Sequence, residues 1–183
     1  MTEYDVVVIG AGSSGLNTAI NCAKADLSVA VIEEHDKIGF PRHCSGLYST
    51  RFLSLMDVSE EFYAHEVFGA KFHPPSGRPM ELMRKEKVAF VINRELLDDH
   101  LAKRTKESGV NVISGAKVSD FSTEGNAATV TTEKETLATK LICGADGSNS
   151  FVRRKLGIEP PNKLHGIMAI TGEEDYSNFV DLY

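Results

Sequence analysis

The sequence predicts an α/β fold: a parallel sheet entered through a strand–turn–helix–strand unit, with an antiparallel sheet added to it. Three observations carry the prediction. The run "DVVVI" (5–9) is continuously apolar, as a strand buried on both faces must be. The segment from Ser14 to Lys24 then places Leu16, Ala19, Ile20 and Ala23 at helical spacing. A second apolar run, "SVAVIEE" (28–34), follows at once.

Downstream, residues 35–47 read as irregular and Ser49 to Met56 as a short helix. The stretch "GAKFHPPSGRPMELM" reads as a hairpin that turns at Pro74-Pro75-Ser76-Gly77. "VAFVI" (88–92) is a strand, and Asn93 is placed to cap a helix from Arg94 to about Ser108 that ends at Gly109. "VNVIS" (110–114) is a further buried strand. Two amphipathic strands flank "STEGNAA", and "TLATKLICGA" returns to the sheet. A last helix, Ser150 to Leu156, is stopped by Gly157 and the Pro160-Pro161 pair. Residues 164–171 and 178–183 read as strands, the second without a following partner, so the chain reads as interrupted.

Bulk properties exclude several classes of function. The 183 residues suffice for one domain and a piece of another. A net charge of −6 argues against nucleic-acid partners, which call for a basic patch. No run approaches the ~18 apolar residues of a membrane span, and the N-terminus has no basic leader. Cys22, Cys44 and Cys143 are widely spaced and the six histidines show no ligand spacing, so no metal is assigned. The default compartment is the cytoplasm, and the sequence assigns no oligomeric state.

Gly10-Ala11-Gly12-Ser13-Ser14-Gly15 fits G-x-G-x-x-G, directly after a strand and opening a helix. Gly10 permits the tight turn, Gly12 lets the backbone approach a pyrophosphate, and Gly15 lets the helix close on the strand. Ser13 and Ser14 stand in the first turn, whose N–H groups attract an anion. Glu33, followed by Glu34, ends the second strand and is placed for the hydroxyls of an adenosine ribose. Such a carboxylate disfavours a 2′-phosphate. FAD and NAD share this Rossmann-like fingerprint, so the motif alone leaves the dinucleotide open.

The segment "KLICGADGSNSFVRRKLG" (140–157) delivers Asp146-Gly147 to a loop before a helix. It resembles the Asp-Gly motif of flavoproteins related to aromatic hydroxylases and geranylgeranyl reductases, A-D-G-x-x-S-x-v-R-r-x-L-G. The resemblance implies FAD as the cofactor, places Asp146 and Gly147 beside it, and ties the segment to the reducing nicotinamide. "INRELLDDHLAKRTKESGVNV" resembles the same proteins' strand-Arg-helix segment, which implies that Arg94 contacts the cofactor. A cation facing a pyrophosphate makes physical sense.

A third stretch separates the subfamilies. "KIGFPRHCSGLYS" (37–49) resembles the G-x-P-x-x-C-x-G-L-x-S loop of geranylgeranyl reductases and their digeranylgeranylglycerophospholipid-reducing relatives, which aromatic hydroxylases lack. The resemblance carries Cys44, Ser45 and Gly46 toward the flavin, with Cys44 the one candidate catalytic residue. Arg42 and His43 could lower its thiol pKa. A cysteine that only packs under the flavin is the alternative. Asp26 departs from the family at the helix-to-strand turn, where glycine is usual.

The resemblance implies an FAD-dependent oxidoreductase that saturates carbon–carbon double bonds of isoprenoid lipids. NAD(P)H or another donor would reduce the flavin. Lipid substrates also imply peripheral membrane association. Residues 1–160 would form the Rossmann-like FAD-binding domain, discontinuous in the family, and 161–183 the first strands of a substrate domain. Two rival readings are a flavin monooxygenase of the aromatic-hydroxylase type, and an inactive FAD-binding fragment that needs a partner.

Overall fold

The computed structural model describes residues 2–41, 44–56, 58–162, 164, 166–169, 172 and 177–183. The elements run β1 (Thr2–Ile9), α1 (Ser13–Lys24), β2 (Val29–Ile32), β3 (Leu47–Ser49), α2 (Thr50–Met56), a 3-10 turn (Glu60–Phe62), β4 (Tyr63–Val67) and β5 (Gly69–Phe72). They continue through β6 (Met80–Met83), β7 (Ala89–Ile92), α3 (Arg94–Glu107), β8 (Asn111–Ile113), β9 (Val118–Glu124), β10 (Ala127–Thr132), β11 (Thr136–Gly144), α4 (Phe151–Lys155) and β12 (Phe179–Leu182). The chain divides into two compact units, 1–41 with 98–164, and 42–97 with 165–183.

The first unit holds a six-stranded sheet in the order β8-β2-β1-β11-β10-β9. Its first four strands are parallel, and β10 and β9 are added antiparallel. Every residue of β2 and the last four of β1 are buried, as strands with both faces covered require. Val7, Ile9, Ala30, Ile32, Val130 and Leu137 form the core. The α/β expectation holds, with the antiparallel strands extending the parallel sheet itself.

The second unit carries two three-stranded sheets, β3-β7-β4 and β12-β5-β6. β5 and β6 are the expected hairpin. The expected strand 178–183 is β12, which pairs with β5 in parallel. Of the expected strand 164–171, residues 165, 170 and 171 lie outside the described residues, while 164 and 166–169 carry no strand. β3 and β4 were not expected. β3 has three residues, and "YAHEV" of β4 alternates only partly, so neither shows the period of two that marks a strand. Among the described residues, no helix is long and apolar enough to cross a membrane.

Candidate dinucleotide site

The glycine loop joins β1 to α1, and its shape explains its composition. Gly10 has φ +103°, and a Cβ there would lie 2.4 Å from the Ala145 carbonyl oxygen. A Cβ on Gly15 would lie 2.0 Å from the Gly10 carbonyl oxygen. The loop is therefore closed on both sides by backbone. Gly12 is different: a Cβ there would meet nothing within 4 Å. Its bareness serves no contact within the protein and leaves the backbone open to a ligand at the helix N-terminus.

Gly12 is also the N-cap of α1, and no side chain caps that helix. No acidic residue stands in its first turn. Twelve residues of helix thus present first-turn N–H groups, with Ser13 and Ser14 between them, to whatever anion approaches. These features fit a dinucleotide pyrophosphate.

Glu33 follows β2 and reaches back to this loop. Its Oε2 accepts the Ala11 N–H at 2.8 Å, and its Oε1 accepts the His35 N–H at 3.0 Å and lies 2.7 Å from His35 Nδ1. The sequence places Glu33 at the ribose but gives no hint that it also holds the loop. Each carboxylate oxygen accepts about two donors, so Oε2 keeps capacity for a hydroxyl. Glu34 is exposed, with its carboxylate 3.7 Å from Lys117 Nζ.

The Asp146 loop comes to the same strand ends. The Ala145 N–H donates to the Ile9 carbonyl at 2.8 Å, which sets Asp146 beside Gly10. Its Oδ2 accepts the Val152 N–H at 3.0 Å, and Ser150 Oγ accepts the Arg153 N–H at 2.9 Å. Both side chains thus satisfy donors at the start of α4, while Gly147 makes the turn at φ +73°. Gly10, Gly12, Ser13, Ser14, Gly15, Glu33, Asp146 and Gly147 are together in the first unit.

Cys44, Ser45, Gly46 and Arg94 belong to the second unit. The Cys44 thiol is exposed, and the Gly46 N–H points to its sulfur at 3.5 Å. Arg42 and His43, the expected neighbours of that thiol, lie outside the described residues. Gly46 is buried at φ +81°, and a Cβ would lie 2.4 Å from the Ile92 carbonyl oxygen. Its own carbonyl accepts the Ile92 N–H at 2.9 Å. Glycine at this position therefore lets the loop pair with β7.

Arg94 opens α3. Asn93 Oδ1 accepts the N–H groups of Glu95 and Leu96 at 3.2 and 3.3 Å, the cap that the sequence predicts. The Arg94 guanidinium donates to the Tyr48 hydroxyl at 2.7 Å and lies 5.7 Å from that ring's centroid. Tyr48 carries no local signal in the sequence, because its partner Arg94 lies 46 positions away.

Comparison with known proteins completes the picture. Residues 3–181 match the model of the family described as "FAD binding domain". The chain is 31% identical over 166 residues to digeranylgeranylglycerophospholipid reductase 1 of Methanococcoides burtonii, a match over 86% of this chain and 41% of that protein. It resembles the structure of a geranylgeranyl bacteriochlorophyll reductase-like protein from Thermoplasma acidophilum, with a TM-score of 0.71 and 30% identity over 81% of this chain and 40% of that one. It superimposes equally well, at a TM-score of 0.72, on p-nitrophenol 4-monooxygenase from Pseudomonas putida. That pair shares 20% identity over 86% of this chain and 44% of that one, and shows the fold alone. The chain thus spans about two-fifths of the length of the first relatives it matches. With the glycine cradle, the uncapped helix and the Asp146 loop in place, the chain belongs to the FAD binding domain family, and FAD is its dinucleotide.

Proposed function

We propose that this protein is an FAD-dependent oxidoreductase that reduces carbon–carbon double bonds in geranylgeranyl-type isoprenoid lipids. The observation that carries the reading is the 31% identity, over 166 residues, to a protein named for reducing such a lipid. Gly10, Gly12, Ser13, Ser14, Gly15 and Arg94 hold the diphosphate, Glu33 the ribose with Glu34 beside it, and Cys44, Ser45, Gly46, Asp146 and Gly147 the flavin half. When bound and reduced by NAD(P)H or another donor, the flavin would supply the hydride, and an acid or water would supply the proton. The chain's own residues bind, orient and keep water from the reacting centre.

Residues 1–160 are read as the FAD-binding domain and 161–183 as the opening of a substrate domain. β12 of the second part joins the β5-β6 hairpin of the first in one three-stranded sheet. Its register aligns Leu182, Phe72 and Met80 in one row and Val180, Ala70 and Leu82 in another. With side chains alternating along each strand, these six share one face. Asp181, Lys71 and Glu81 form a charged row on the other face, with Lys71 and Glu81 paired at 2.9 Å. An apolar face of this kind suits an isoprenoid, and a lipid substrate brings the enzyme to a membrane surface.

The test is to load the protein with FAD, reduce it without oxygen, and add a geranylgeranyl lipid. Reappearance of the oxidised-flavin band with a saturated product by mass spectrometry is expected. Oxidation that requires oxygen and yields a hydroxylated product would support a monooxygenase. A chain that holds FAD but oxidises with neither would be an FAD-binding module that works with a partner.

A further inference from the structure

Helix α4 ends in a cap that satisfies its backbone but leaves apolar side chains exposed. Gly157 takes φ +68°, its N–H donates to the Arg154 carbonyl, and the Ile158 N–H donates to the Arg153 carbonyl, both at 3.1 Å. This is the paired bonding of a Schellman cap, in which the residue after the glycine commonly packs on an apolar residue five positions earlier. Here that position is Arg153, and Ile158 stays 56% exposed. Leu156 is 59% exposed. Arg153 and Arg154 stand in the same turn, each guanidinium donating to one neutral backbone carbonyl, of Ile158 and Asn149 respectively. Among the described residues, neither pairs with a carboxylate. Lys155 differs, since it pairs with Asp120 and lies 4.8 Å from the centroid of the Phe121 ring.

Arg153, Arg154, Ile158, Glu159, Pro160 and Pro161 surround an open cavity of about 540 Å³. Two guanidiniums against one carboxylate make it locally cationic, on a chain whose net charge is −6. Its backbone also suits a place short of water. The N–H groups of Leu156, Gly157 and Ile158 are all bonded to carbonyls of α4, and Pro160 and Pro161 have none to satisfy. An acidic protein is repelled by an anionic surface except where such a patch meets it. We propose that residues 153–161, all within the first unit, form the surface by which this chain meets an anionic lipid bilayer: Arg153 and Arg154 take headgroup phosphates while Leu156 and Ile158 enter the interface. The choice of a bilayer as the partner rests on the lipid reading above.

The test measures flotation of the 183-residue chain with phosphatidylcholine vesicles, alone or mixed equally with phosphatidylglycerol, with melting temperatures alongside. No isoprenoid lipid is present, so the result does not depend on turnover. The chain should bind the mixed vesicles and hardly the neutral ones, and added salt should release it. Arg154→Gln should weaken binding about fivefold, the worth of one cation at an anionic surface, while Arg154→Lys should keep it. Leu156→Ser together with Ile158→Ser should weaken it about tenfold or more. Ile158→Ser alone serves if the pair does not fold. Lys106→Gln removes the same charge from an exposed position of α3 and should change little. The chain has no tryptophan, so Leu156→Trp supplies a single reporter whose emission should shift to the blue on the mixed vesicles.

A parent chain that floats with neither kind of vesicle overturns the proposal. Undiminished binding by Arg154→Gln and by the serine pair overturns it too, since another surface would then make the contact. An equal loss in Lys106→Gln does the same, because it would mark overall charge and not this patch. Unshifted Leu156→Trp emission on vesicles that carry the chain overturns the entry of the apolar residues. Binding through this patch by a chain that fails to reduce a geranylgeranyl lipid overturns the functional reading and leaves the surface standing.

Discussion

Asp26 shows how one residue can depart from a pattern and remain tolerable. It follows Ala25, the C-cap of α1, and has φ +59°, the left-handed conformation in which helices commonly end on glycine. An aspartate bears this strain better than most side chains but still pays for it. Asp26→Gly should therefore raise stability by about 0.5–1 kcal/mol, less whatever glycine adds to the entropy of the unfolded chain. The midpoint of urea unfolding would report it. The thiols make a second prediction at this scale. Cys44 is exposed, whereas burial, and then the nearby Cys22, push the Cys143 thiol above its ordinary range. Near neutral pH, iodoacetamide followed by mass spectrometry should label Cys44 first and Cys143 last. If Cys44 lies against the flavin, saturating FAD should slow its labelling several-fold, and an unchanged rate would remove it from the site.

Elements are held in register by a few long-range side-chain bonds, and Asp5 makes several of them. From β1 its carboxylate accepts the Ser28 N–H and hydroxyl, both at 2.8 Å, just before β2, and pairs with Lys140 of β11 at 2.7 Å. The Lys140 ammonium, followed by the two Ser28 donors, holds the Asp5 carboxyl far below the usual carboxylate range. A carboxyl depressed in the folded state stabilises it above the unfolded pKa and loses that contribution as pH falls through the folded one. Asp5→Asn should thus be less stable than the parent at neutral pH. The gap should narrow as acidity rises past a pH of about 4, the unperturbed aspartate value. Urea midpoints measured across that range would check it. The same contrast between local and distant contacts explains what could be read from the sequence. β1, α1, β2 and the cap of α3 were legible because their signals lie within one window of residues. β3 and Tyr48 were not, because a three-residue strand shows no period and the Arg94 contact spans 46 positions. The acidity of Glu33 and its place after β2 lie within one window, but its bond to Ala11 bridges 22 positions.

At the scale of the whole molecule, the family assignment makes stability and ligand binding one measurement. A ligand that binds only the folded state adds about 2.7 kcal/mol when present at a hundred times its dissociation constant. FAD should accordingly raise the melting temperature of the chain in a concentration-dependent way. Two glycines of the same loop separate the fold's needs from the ligand's. Gly10→Ala forces a Cβ to within 2.4 Å of the Ala145 carbonyl oxygen and strains a φ of +103°, so the free protein itself should lose stability. Gly12 has φ −67° and open space where the methyl would go, so Gly12→Ala should leave the free protein melting as the parent does. The added methyl would instead stand in the path of the pyrophosphate, and the FAD-dependent rise should shrink or vanish. A Gly12→Ala variant stabilised by FAD as fully as the parent would mean that the cofactor does not approach this backbone. The diphosphate would then have to be sought away from the α1 N-terminus.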